Sequence, residues 1–130
     1  MSKKVLVVDD DPDVRTFIVT VLEENNYIPI VAHDGVEGLK KIEEENPDLI
    51  TLDVLMPRGS GIRLYRKIKT EVPFKNIPVI MLTGIALRSF LRSQQTLYEF
   101  QGGKVPEPDF YLEKPVEPEE LIDAIRKSLK

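Results

Sequence analysis

The chain has no cysteine, a single histidine, and no apolar stretch near the roughly 20 residues that a membrane span requires. Without cysteine there are no disulfides and no thiolate-held metals. His33 stands near a turn with no second imidazole to share a metal, so it reads as a surface residue. Basic charge is also short. The 18 Lys and Arg against 22 Asp and Glu leave a net charge of -4, the wrong sign for a direct nucleic-acid surface. Met1-Ser2-Lys3-Lys4 leads into a short apolar run and then into acid, not into the long apolar core of a secretory signal, so a cytoplasmic location is expected. What is there, 130 residues of which 42% are hydrophobic and 31% charged, is the size of one domain with one core. The expectation is a single domain over 1–130, without linker, internal repeat, low-complexity tract or output domain.

Three aspartates stand out against that background. Asp9 and Asp10 close the run Lys4-Val5-Leu6-Val7-Val8, and Asp53 closes Asp48-Leu49-Ile50-Thr51-Leu52. Short continuous runs of Val, Ile and Leu suit central strands of a parallel sheet covered on both faces, where ligands sit beyond the carboxyl ends of the strands. Between and beyond them the chain alternates. Asp11-Pro12 fits an N-cap with proline at the first helical position, and Val14, Phe17, Ile18, Val21 and Leu22 recur at helical spacing up to Asn25-Asn26. Tyr27 to Ala32 is a second strand, Asp34-Gly35 a turn and Val36 to Glu45 a second helix, stopped by Asn46-Pro47. Pro57, Gly59 and Gly61 form a loop before a third helix carrying Ile62, Leu64, Tyr65 and Ile68; Ile77 to Leu82 is a fourth strand closing at Thr83-Gly84. Leu87 to Phe100 is helix-compatible, residues 102–108 are a loop, Phe110 to Leu112 a fifth strand and Pro118 to Leu129 a last helix. Strict alternation of five strands and five helices predicts an α/β doubly wound parallel sheet, for which the order 2-1-3-4-5 fits best. That order sets the first and third strands side by side at the switch point, so Asp9, Asp10 and Asp53 share one crevice.

Three carboxylates so close need either raised pKa values or a cation. With oxygen donors alone the cation is hard, and Mg²⁺ accepts one or two carboxylates while keeping sites for water or a phosphate oxygen. A carboxylate can attack a phosphoryl group to give an aspartyl-phosphate when fixed donors neutralise the transferred group. Thr83 and Lys114, each at the end of its own strand, bring a hydroxyl and an ammonium to the same sheet edge.

Four segments, Val7-Val8-Asp9-Asp10-Asp11-Pro12, Leu52-Asp53-Val54-Leu55-Met56-Pro57, Val79-Ile80-Met81-Leu82-Thr83-Gly84 and Tyr111-Leu112-Glu113-Lys114-Pro115, give the chain its resemblance to a response regulator receiver domain. Singly they are weak signals; four in order across nearly all of the chain are specific. The resemblance implies a flavodoxin-like (β/α)5 fold and a phosphorylation-controlled switch of a two-component or phosphorelay pathway, not an enzyme acting on another substrate. It implies Asp53 as phosphoacceptor, Asp9 and Asp10 with Asp53 and the Leu55 carbonyl as ligands of Mg²⁺, and Thr83 and Lys114 on the phosphoryl oxygens. Small Gly84 would let the phosphoryl group approach, Thr83 and Tyr111 would form the switch pair, and Lys114-Pro115 would be cis. The implied partners are a sensor histidine kinase or histidine phosphotransfer protein and a downstream protein docking on the fourth helix, fifth strand and fifth helix. A homodimer is compatible with the resemblance; nucleic acid and membrane are not implied.

The chain departs from the family pattern twice. Met56-Pro57-Arg58-Gly59-Ser60-Gly61 puts a glycine where a methionine commonly anchors the loop, which predicts a more mobile loop. The stretch from Thr83 to Lys114, with Arg88, Arg92, Gln94 and Gln95, is longer than usual and reads as a surface insertion or an altered partner face. Leu55 and Ile85, each two residues past a site residue, are bulky and apolar where a hydrolytic water would approach, predicting slow autodephosphorylation. Three alternatives fit less well. A haloacid dehalogenase-like phosphatase wants a second aspartate where Leu55 stands, and the acids of Asp9-Asp10-Asp11-Pro12-Asp13 would repel the phosphate of FMN in a flavodoxin-like binder. A pseudo-receiver scaffold would not need the complete residue set.

Overall fold

The computed structural model describes residues 2–71, 73–84 and 108–129. Five strands, β1 (Lys4–Val8), β2 (Ile28–Ala32), β3 (Leu49–Leu52), β4 (Val79–Thr83) and β5 (Phe110–Glu113), pair in parallel in the order β2-β1-β3-β4-β5. This is the expected flavodoxin-like order. Four helices lie among the described residues: α1 (Pro12–Glu24), α2 (Gly35–Glu45), α3 (Ser60–Thr70) and α4 (Pro118–Ser128). The helix expected over Leu87–Phe100 and most of the loop after it lie outside the described residues.

The pleat divides each apolar run between two layers. Val5 and Val7 turn to a cluster with Ile18 and Leu22 of α1 and Leu121 and Ile125 of α4, whereas Leu6 and Val8 turn to Ile42 of α2 and Leu64, Tyr65 and Ile68 of α3. Because both faces are covered, β1, β3 and β4 are apolar at nearly every position instead of alternating. Each fully buried Val, Leu or Ile contributes about 1.5–3 kcal/mol relative to exposure.

Local signals set the helix starts. Asp11 caps α1 by accepting from the amides of Asp13 (2.9 Å) and Val14 (3.5 Å), with Pro12 at the first position. Asp34 caps α2 through the Glu37 amide (2.8 Å), so this helix begins at Gly35, within the expected turn. Two boundaries differ more. Pro57–Gly59 is a 3₁₀ turn that runs into α3 at Ser60, ahead of the expected start near Ile62; the kink falls at Arg58, whose φ of 58° is left-handed. β4 begins at Val79 instead of Ile77, since Pro78 has no N–H for the ladder, and extends to Thr83. Among the described residues no helix is long and apolar enough to cross a membrane.

Candidate functional site

β1 and β3 are neighbours, with Val8 opposite Leu52, and each delivers an acid just past its last residue. Asp53 donates its backbone N–H to Val8 O (3.0 Å), which locks the two strand ends together. Asp9 and Asp53 are buried and Asp10 exposed, and one carboxylate oxygen of each lies within 4.8 Å of the others. Backbone amides hold two of these groups in place: Asp11 N–H donates to Asp9 Oδ1 (2.9 Å) and Leu55 N–H to Asp53 Oδ1 (2.9 Å).

Lys114, following β5, reaches across to the acids. Its Nζ lies 2.9 Å from Asp9 Oδ2 and 3.1 Å from Asp53 Oδ2, and its own N–H donates to Thr83 O (2.9 Å). The Lys114–Pro115 peptide is cis, as expected. Burial raises the Asp9 carboxyl above the ordinary carboxylate range, outweighing the Asp11 amide and Lys114, which pull it down. Burial would lower the Lys114 ammonium, but hydrogen bonds and charge from Asp9 and Asp53 together hold it above its usual value. The choice posed by the sequence, raised pKa or cation, thus has a third answer as well: the chain supplies an ammonium.

Thr83, at the end of β4, is buried, and its Oγ1 has no hydrogen-bond partner among the described residues. A buried hydroxyl costs free energy unless something accepts from it or donates to it. One strand further out, Tyr111 pairs in register with Met81, two residues before Thr83, and packs half-buried on the α2–α3 layer. Burial first, then Glu113 and Asp53, push its phenol up to about 12. Leu55 is 62% exposed at the rim, and Ile85, Arg88, Arg92, Gln94 and Gln95 lie outside the described residues. His33 is exposed, with its backbone N–H on Glu37 Oε1 (2.7 Å) and its ring beside Asp34 and Glu37. An apolar groove of about 470 Å³ opens beside Lys114, lined by Val14, Phe17, Leu82, Pro115 and Val116.

The donor set fits a hard divalent ion: three carboxylates converge, all oxygen, two of them sunk where an uncompensated charge is costly. Asp9, Asp10 and Asp53 could hold such an ion. Sequence reasoning did not find Arg15, whose Nη1 donates to Asp9 O (2.7 Å) from α1. An arginine one helical turn into an amphipathic helix carries no sign of that contact.

Residues 5–126 match the family model described as the response regulator receiver domain. The phosphate regulon transcriptional regulatory protein PhoB of Escherichia coli K12 is 33% identical over all 130 residues of this chain, which cover 53% of that protein. Protein PilG of Pseudomonas aeruginosa is 36% identical over 123 residues, 95% of this chain and 84% of PilG. The chain spans about half the length of PhoB and the other first curated relatives. Among solved structures, the chemotaxis protein CheY4 of Vibrio cholerae superposes with a TM-score of 0.81 at 27% identity, covering 99% of this chain and 100% of that one. A Francisella response regulator receiver domain gives 0.77 at 33% identity, covering 98% and 97%.

Proposed function

The chain belongs to the response regulator receiver domain family of two-component signalling, and from that premise we propose that it is a phosphorylation switch whose Asp53 accepts a phosphoryl group with Mg²⁺ bound. The observation that carries this reading is the meeting of three acids from the ends of β1 and β3 with the Lys114 ammonium that follows β5, 3.1 Å from Asp53 Oδ2, while the neighbouring β4 ends in the buried Thr83, whose hydroxyl has no partner among the described residues. In this reading an Asp53 carboxylate oxygen attacks phosphorus, the bond to a histidine nitrogen of the donor breaks, and that nitrogen takes a proton. Mg²⁺, held by Asp9, Asp10, Asp53 and the Leu55 carbonyl, would neutralise charge on the transferred oxygens. Lys114 exchanges an Asp53 oxygen for a phosphoryl oxygen, and the Thr83 hydroxyl, without a partner among the described residues, gains one.

New contacts to Thr83 and Lys114 favour one arrangement of β4, Tyr111 and the elements around them, which is a population shift driven by differential contacts. The donor is a sensor histidine kinase or a histidine phosphotransfer protein, and the groove beside Lys114 gives it an apolar surface next to the site. A downstream protein reads the face around β5 and α4, and the domain works in the cytoplasm, catalysing only its own phosphorylation and dephosphorylation. Intact-mass analysis after incubation with acetyl phosphate and Mg²⁺ tests the reading. Wild type gains one phosphoryl group and Asp53→Asn gains none; a gain that persists in Asp53→Asn, or is absent from wild type, overturns it.

A further inference from the structure

α2 carries no residue of the acid site, yet a line of backbone contacts joins it to Asp53. Gly61, buried in the first turn of α3, lies against the strand end: a Cβ there would stand 2.3 Å from Asp53 O, 2.7 Å from Val54 Cα and 2.8 Å from Val54 O. Real Cβ atoms do not approach so closely, and the obstacle is backbone, which no rotamer change can move aside. One residue earlier, Ser60 meets α2, where a Cβ on Gly35 would stand 2.6 Å from Ser60 O and 3.1 Å from Ser60 Cβ. Two successive contacts without side chains therefore run from the first turn of α2, through Ser60 and Gly61, to the Asp53 carbonyl. On its other sides Asp53 is held by its N–H on Val8 O and by the Leu55 N–H on its Oδ1.

We propose that Gly61 and Gly35 are positioning residues for the phosphoacceptor: the α2–α3 corner seats the Asp53 backbone and so fixes where its carboxylate reaches. The proposal rests on the phosphoacceptor reading above. Reactions promoted by placement lose rate steeply when the attacking atom is displaced, and packed interiors transmit small shifts instead of absorbing them.

The test compares Gly61→Ala, Gly35→Ala and Ile125→Val, the last a core change in the opposite layer. Initial rates of phosphoryl gain from acetyl phosphate with Mg²⁺ are followed by intact mass well below each melting temperature. The Leu55 amide resonance in a ¹H–¹⁵N spectrum reports the Asp53 carboxylate directly. Gly61→Ala is expected to lose roughly tenfold or more in rate and Gly35→Ala about threefold, as misplacement of a reacting group predicts. Both should shift the Leu55 amide, whereas Ile125→Val keeps wild-type rate and amide position. Should Gly61→Ala fail to fold, Gly35→Ala decides. Wild-type rates and an unmoved amide in the glycine variants overturn the proposal, as do losses that follow melting temperature alone in all three. A wild type that gains no phosphoryl group sinks the phosphoacceptor reading instead, and the amide shifts then still decide whether these glycines seat the carboxylate.

Discussion

Each acid of the site has its own surroundings, and those surroundings divide the work. Asp9 is buried, tied to the Asp11 amide and Lys114, and held by burial above the ordinary carboxylate range; Asp10 faces solvent at the mouth. Asp53 shares Lys114 with Asp9 and has its other oxygen on the Leu55 amide. Lys114 thus stabilises the paired acids from within, and the same ammonium is free to turn to an incoming anion. Leu55 adds a property of its own, since its exposed side chain stands two residues past Asp53. An apolar group there keeps water from an acyl phosphate, so the phosphoryl group should be long-lived. After removal of donor, decay followed by intact mass should run about tenfold faster in Leu55→Asn, equivalent to ~1.4 kcal/mol of barrier. Equal decay in wild type and variant would remove Leu55 from the account. The aspartates, Thr83 and Lys114 were legible in the sequence because each follows or ends an apolar run. Arg15 on the Asp9 carbonyl and the Ser60–Gly61 approach were not, because such contacts depend on how helices settle on the sheet.

The secondary elements are joined at the end of the sheet away from the site by a second polar cluster. Lys69 of α3 has a side chain only 8% exposed; its Nζ donates to Ile77 O (2.8 Å) and lies 3.8 Å from Asp109 Oδ2. The same Asp109 oxygen accepts from Val79 N–H (2.8 Å), so α3 and the entries to β4 and β5 are tied together. Burial lowers the Lys69 ammonium below its ordinary 10.5, against the pull of Asp109. The unfolded chain therefore holds this proton more tightly than the folded one, and the cost of the buried charge is fully present below the folded pKa. It is relieved as pH rises through that value toward 10.5. Urea unfolding of wild type and Lys69→Met across neutral to alkaline pH checks this. The stability difference should shift in favour of wild type as pH rises, and a difference independent of pH would contradict it. At this scale the sequence revealed strands and helices more readily than their ends. The cap at Asp11 gave a clear start, whereas Asp34 read as part of a turn, and the 3₁₀ turn at Pro57–Gly59 was hidden because its proline and glycine read as loop. No local signal showed that Gly61 is needed for close approach.

For the molecule as a whole, topology makes the site. The order β2-β1-β3-β4-β5 places β1 beside β3 and brings the ends of β4 and β5 to the same edge. Residues separated by 44 to 105 positions, as Asp9 is from Asp53 and Lys114, therefore meet within hydrogen-bonding reach of one ammonium. That convergence was legible from alternation and crossover handedness alone, because few topologies satisfy both. The central claim is that this convergence makes Asp53 the carrier of a phosphoryl group. Its most direct test is to treat the protein with acetyl phosphate and Mg²⁺, reduce with borohydride, which converts an acyl phosphate to an alcohol, and sequence the β1 and β3 peptides by mass spectrometry. The account predicts reduction at Asp53 alone and none without acetyl phosphate; reduction at Asp9 or Asp10 instead, or no reduced residue in a folded, Mg²⁺-treated protein, would contradict it.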